Sequence, residues 1–135
     1  MSERKVAVVT GSATGVGAAT VLGLARRGYD VVINYTKSEV EAAASAAACA
    51  EAGADTLVVR ADVADDAACR GMVGAAVDRW GRVDALVNNA GRTSVASMAG
   101  WEGFDAQVFH DIYAVNLIGP FHWSGPALRR RLPMR

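Results

Sequence analysis

The sequence predicts an α/β domain, an open parallel sheet with helices on both faces, built in the order β-α-β-α-β-α-β-α. Three observations predict it. Short β-branched runs alternate with longer alanine-rich segments of helical character. The short runs are continuously apolar, the pattern of strands buried on both faces rather than of half-solvated ones. Glycine closes each of the first three longer segments, where a left-handed residue commonly ends a helix.

The strands are expected at residues 6–9, 31–33, 56–59 and 85–87, and the helices at 16–27, 39–52 and 65–80. Gly28, Gly53 and Gly81 are the expected C-terminal caps. A fourth helical segment covers about residues 104–131. Gly119 and Pro120 lie inside it and should kink it, because proline has no N–H to donate and clashes with the preceding turn. Right-handed crossovers then place helices on both sides of the sheet.

The 135 residues suffice for one domain, 52% of them are hydrophobic, and 14 basic residues balance 14 acidic ones. Such a chain has no electrostatic footprint for nucleic acid or an anionic membrane. No apolar run is long enough to span a bilayer, and the N-terminus lacks a secretory pattern, so a soluble cytoplasmic protein is expected. Cys49 and Cys69 fall in alanine-rich helical stretches and are expected to be small buried side chains. No further ligands stand near them, so no metal is expected.

The strongest local signal is the turn from Thr10 to Gly17, Thr-Gly-Ser-Ala-Thr-Gly-Val-Gly, between the first strand and the first helix. Glycines there allow a tight turn and a close backbone approach. The helix N-terminus then offers N–H groups and a positive dipole end to a pyrophosphate. Gly11, Ser12, Thr14, Gly15, Val16 and Gly17 are the candidate residues of that cradle.

In a dinucleotide-binding unit, an acid at the end of the second strand bonds the ribose 2′-hydroxyl, whereas a base accepts a 2′-phosphate. Here that strand ends in Asn34, Tyr35, Thr36, Lys37 and Ser38, with no carboxylate. Tyr35, Thr36 and Lys37 are therefore candidate cofactor contacts. NADP is expected in preference to NAD, with Lys37 as a point charge. The third strand leads to Asp62 and Val63. Asp62 is placed to accept a hydrogen bond from the adenine amino group, while Asp65 is the better helix cap. The fourth strand runs into Asn88, Asn89, Ala90 and Gly91. Buried amides are costly unless bonded, so the two asparagines should tie strand ends together, and Ala90-Gly91 leaves room for the cofactor.

This ordered set resembles the classical short-chain dehydrogenase/reductase family, and the likeness runs from about residue 5 to the end of the chain. The resemblance implies a Rossmann-type three-layer α/β/α fold. It also implies hydride transfer between a nicotinamide cofactor and a carbonyl or alcohol substrate. Pyrophosphate would lie at Gly11, Gly15 and Gly17, adenine at Asp62, and further cofactor contacts at Asn88, Ala90 and Gly91. Asn116 resembles the family's helix asparagine, which shares a catalytic tetrad with a serine, a tyrosine and a lysine.

The sequence departs from the family at the chemistry. Tyr29, Tyr35 and Tyr113 are followed four residues later by Ile33, Glu39 and Leu117, so no Tyr-x-x-x-Lys pair exists. His110 and His122 are the other acid/base candidates by pKa, but are read as partly exposed helix residues. Trp101, Phe104, Phe109, Phe121 and Trp123 are expected in a core or interface, and Tyr113 in packing. The chain is expected to be a single incomplete NAD(P)-binding domain, residues 1–135, truncated after about four strands and the fourth crossover helix. A bare fourth strand and an uncovered last helix favour a homo-oligomer. A non-catalytic dinucleotide-binding module, or a subunit completed by a partner, is the alternative.

Overall fold

The computed structural model describes residues 3–95 and 104–131, with side chains in the last helix described to Gly125. Trp101, and residues 132–135 of the basic tail, lie outside the described residues.

Four parallel strands form one sheet in the order β3-β2-β1-β4: β1 Lys5–Val9, β2 Tyr29–Tyr35, β3 Thr56–Arg60 and β4 Ala85–Val87. Helices α1 Gly15–Arg26, α2 Glu39–Glu51 and α3 Asp66–Trp80 connect them. The continuous apolar runs are explained by two cores. Val6, Val8 and Val32 pack on one face with Met72, Val73, Trp80 and Trp123. Ala7, Val9, Val31 and Ile33 pack on the other with Val21, Ala25, Ala42 and Cys49. Successive strand residues point to opposite faces, so both parities must be apolar when helices cover both sides. Gly28, Gly53 and Gly81 all have left-handed backbones, as the helix ends require.

Three strands differ from expectation; one is β4, half-buried along its length at the other end of the strand order. Strand β2 starts at Tyr29 and takes in Asp30, which is only 2% exposed. Its carboxylate pairs with the Arg4 guanidinium at 3.0 Å and accepts the Asp55 N–H at 2.9 Å, which makes its burial tolerable. Strand β3, expected to be buried on both faces, is half-exposed, with Val58 at 40%, because it lies at the sheet edge.

The long fourth helical segment divides into α4 Ala106–Tyr113, a π turn Ala114–Ile118 and α5 Gly119–Arg131. The irregularity lies one turn ahead of Pro120, where proline withholds its N–H from the carbonyl four residues back. The Gly119 N–H instead reaches back five residues to the Ala114 carbonyl. Gly119 also passes so close to the loop after β3 that a Cβ there would lie 2.7 Å from the Val63 carbonyl oxygen.

Trp123 belongs to the core, fully buried. Phe104, Phe109 and Phe121 are exposed, compatible with an interface only. Tyr113 is not a packing residue: on the outer face of α4 it is 56% exposed. Cys49 and Cys69 are free and buried, as expected. No helix among the described residues is long and apolar enough to cross a membrane.

Candidate dinucleotide-binding site

The carboxyl ends of all four strands open into a cavity of about 610 Å³. Its walls are the turn after β1 (Gly11, Ala13, Thr14), the end of β2 (Asn34 to Ser38) and the end of β3 (Asp62, Val63). The segment after β4 (Asn89 to Arg92) and Val115 of the π turn complete it.

Close packing of backbone on backbone shapes the turn. Gly11 has φ 62°, and a Cβ on it would lie 2.9 Å from the Ala90 Cα. A Cβ on Gly17 would collide with the Gly11 carbonyl oxygen and approach the Asn89 amide nitrogen to 2.5 Å. Only glycine permits α1 to start this near the end of β4. Side chains then fix the turn from behind. The Thr10 hydroxyl accepts the N–H groups of Asn89 and Ala90, both at 3.0 Å. The Asn89 amide donates to the carbonyls of Thr10 and Gly11 at 3.1 and 3.0 Å. Asn34, 2% exposed, accepts the Gly11 N–H at 3.0 Å and donates to the Ala61 carbonyl at 3.0 Å, joining the ends of β1, β2 and β3.

The outward-facing part of the turn suits an anion. Asp65 caps α3 by accepting the Ala68 N–H at 3.1 Å, and Asp105 caps α4 by accepting the Val108 N–H at 2.9 Å. Helix α1 differs: its N-cap Thr14 makes no side-chain cap bond and its first turn holds no acid. Its N-terminal N–H groups and positive dipole end are thus left to whatever enters at Thr14. A glycine turn packed too closely on Ala90 and Asn89 for side chains at Gly11 and Gly17, beside an uncapped helix start, fits a dinucleotide pyrophosphate.

The expected site residues divide. Gly11, Thr14, Tyr35, Thr36, Lys37, Asp62, Val63, Asn89, Ala90 and Gly91 come together around the cavity. Asp62 uses Oδ1 to accept the Ala64 N–H at 2.9 Å. Gly15 supplies a left-handed turn with φ 57°, and Gly17 supplies the close contact, without lining the cavity. Val16 is 76% exposed on the first turn of α1. Ser12 is fully buried behind the turn, its hydroxyl donating to the Val9 carbonyl at 2.8 Å and accepting the Asn34 N–H at 2.9 Å. Asn88 points to α5 instead, 3.5 Å from the Ser124 hydroxyl. Asn116, in the π turn, accepts the Arg92 N–H at 2.7 Å and donates to the Arg92 carbonyl at 2.9 Å.

Sequence reasoning missed Thr10, Asn34 and Arg92. Asn34 had a signal, a lone amide ending an apolar strand, which burial makes costly unless bonded. Arg92 had none beyond its charge. His110 is exposed on α4, and His122 lies 3.5 Å from the Asp66 carboxylate; neither reaches the cavity.

Comparison with known proteins agrees with this geometry. Residues 5–132 match the family model described as short chain dehydrogenase. An uncharacterized oxidoreductase of Methylorubrum extorquens is 43% identical over 117 residues, 87% of this chain and 46% of that protein. The 3-oxoacyl-[acyl-carrier-protein] reductase FabG of Staphylococcus aureus is 33% identical over 135 residues, all of this chain and 54% of that protein. A solved double mutant of a Serratia marcescens short-chain dehydrogenase/reductase superposes with a TM-score of 0.86 at 39% identity, covering 93% of this chain and 50% of that one. The chain thus spans about half the length of the relatives it matches.

Proposed function

Because the chain belongs to the short-chain dehydrogenase family, we propose that it forms the nicotinamide-dinucleotide-binding half of an oxidoreductase acting on carbonyl or alcohol groups, with NADP preferred over NAD. One observation carries this reading: an uncapped helix start and a glycine cradle open on a cavity the size of a large ligand.

In this reading the turn from Gly11 to Gly17 holds the pyrophosphate with backbone N–H groups. Thr36 and Lys37 meet the ribose 2′-phosphate, at a strand end that carries no competing acid. Asp62 and Val63 flank the adenine, and Ala90 and Gly91 give the dinucleotide room to lie against β4. The bound nicotinamide ring would supply or accept the hydride. This chain's part is to bind and orient it, with Asn116 pinning the Arg92 backbone that borders the cavity. The sequence has no Tyr-x-x-x-Lys pair, so a proton relay of the family's kind requires residues beyond these 135.

The second reading is a dinucleotide-binding module without turnover, or a subunit completed by a partner. A homo-oligomer belongs to either reading. Phe109, Tyr113, Leu117 and Phe121 recur every fourth residue along the last helical segment and are all exposed. Cytoplasmic residence fits the two unpaired, buried cysteines.

Isothermal titration of the chain with NADPH and NADH tests the proposal. Saturable binding, tighter for NADPH, is expected. No heat with either coenzyme at millimolar ligand, for folded protein, refutes it. Turnover of a carbonyl substrate by the 135-residue chain excludes the module without turnover; binding without turnover is the outcome both readings expect of these residues alone.

A further inference from the structure

We propose that Arg92 is a second anion receptor of the cavity, its guanidinium turning from Asp111 to the pyrophosphate of the bound dinucleotide. The inference rests on the reading above and adds a residue to it.

Among the described lining residues the cations are Lys37 and Arg92. Lys37 follows β2 and Arg92 follows β4, so β1 and its glycine turn lie between them in the sheet order. Adjacent strands are about 4.8 Å apart, which places the two residues on opposite flanks of the turn, roughly 10 Å from each other across the sheet. A 2′-phosphate beyond β2 is therefore served by Lys37. The pyrophosphate at the turn is the anion nearer Arg92. Gly11 already meets the Ala90 backbone, and Arg92 is two residues farther on, at most about 7 Å of extended chain.

The root of the side chain is fixed while its head is only loosely held. Asn116 binds both the N–H and the carbonyl of Arg92, at 2.7 and 2.9 Å. The guanidinium makes one contact with Asp111, at 3.4 Å, in a pair whose side chains are 58% and 35% exposed. Asp111 is also engaged elsewhere, accepting the Gln107 amide at 2.8 Å. A long, solvated ion pair of this kind contributes little. A pyrophosphate offers the guanidinium two parallel charge-assisted bonds in place of that single contact. A fixed backbone also reduces the ordering cost of making them. Asp111 thus serves as the resting partner that a ligand displaces.

The test is calorimetric titration of wild type, Arg92→Gln, Asp111→Asn and Lys37→Gln with NADH, NADPH and ADP-ribose, with a thermal melt confirming that each variant is folded. Arg92→Gln is expected to weaken all three ligands by the same factor, about tenfold, since all carry the pyrophosphate. Lys37→Gln should weaken NADPH alone. Asp111→Asn should tighten all three about two- to threefold by releasing the arginine. If wild type binds and Arg92→Gln binds equally well, this inference fails while the dinucleotide reading stands. Loss of NADPH affinity alone in Arg92→Gln assigns the residue to the 2′-phosphate and overturns the proposal. No binding by wild type overturns both.

Discussion

Gly17→Ala should destabilise the protein even though alanine is the better helix former. At an open helical position the exchange gains about 1 kcal/mol. At Gly17 the new methyl collides with the Gly11 carbonyl oxygen and reaches 2.5 Å from the Asn89 amide nitrogen. The first is backbone. The second is held by two hydrogen bonds, to Thr10 and Gly11, so neither can yield without loss. Overpacking of this kind costs about 1–3 kcal/mol, and each disturbed hydrogen bond about 1 kcal/mol. The balance is a net loss of roughly 2–3 kcal/mol, or a fall of about 10 °C in Tm. Because the methyl pushes the start of α1 off the turn, NADPH affinity should fall at least about tenfold as well. Gly74→Ala is the control. It lies inside α3, and a Cβ there meets nothing within 4 Å. That exchange should stabilise by about 0.5–1 kcal/mol and leave binding alone. Differential scanning fluorimetry and calorimetric titration, at fixed protein concentration, measure both effects. An unchanged Tm and Kd for Gly17→Ala, or equal losses in the two variants, would refute the steric argument.

Three further outcomes follow from the same contacts. Asp55→Ala removes the acceptor of the nearly buried Trp80 indole N–H, 2.8 Å away, and should cost about 1–2 kcal/mol in a urea melt. The Arg79 guanidinium, hydrogen-bonded to Asp55, holds its carboxyl below the ordinary carboxylate range. Its contribution is therefore complete above the unfolded pKa and lost as pH falls through the lower folded one, and the variant should show a flatter acid limb. Burial pushes the Cys69 thiol up to about 12, with Asp66, Asp65 and Asp62 adding to the effect. The folded state thus retains a proton that the unfolded state releases above about pH 8.5. Stability should fall as pH rises beyond that point, and a disulfide reagent at pH 8 should label Cys69 only on unfolding. Leu117→Glu with Phe121→Glu places charge on the exposed apolar stripe of the last helices. It should lower the mass seen by size-exclusion with light scattering, and a wild-type monomer at micromolar concentration would refute the interface.

The fold was legible where burial acts through local pattern. Residues of both parities in β1 are apolar because one set meets Met72 and Trp80 and the other meets Val21 and Ala25, and that pattern is readable without knowing the partners. It was not legible where a distant partner decides. Tyr29 and Asp30 join β2 because Arg4 pairs with the buried carboxylate, and β3 is half-exposed because of its place at the sheet edge. The site divides along a similar line, by how each polar group spends its hydrogen-bonding capacity. Ser12, Asn89 and Asn116 resemble ligand residues in sequence, yet in the fold their side chains, like that of Asn34, bond to backbone and hold the strand ends in register. Among the described residues, Lys37 and Arg92 line the cavity with no side-chain bond to the strand-end framework, and Asp62 engages one carboxylate oxygen in its own turn. Residue type and spacing locate such a site. Which amides frame it and which charges face a ligand depends on bonds between residues 20 to 80 apart. The asparagines are therefore expected to govern stability, and the lysine and arginine affinity.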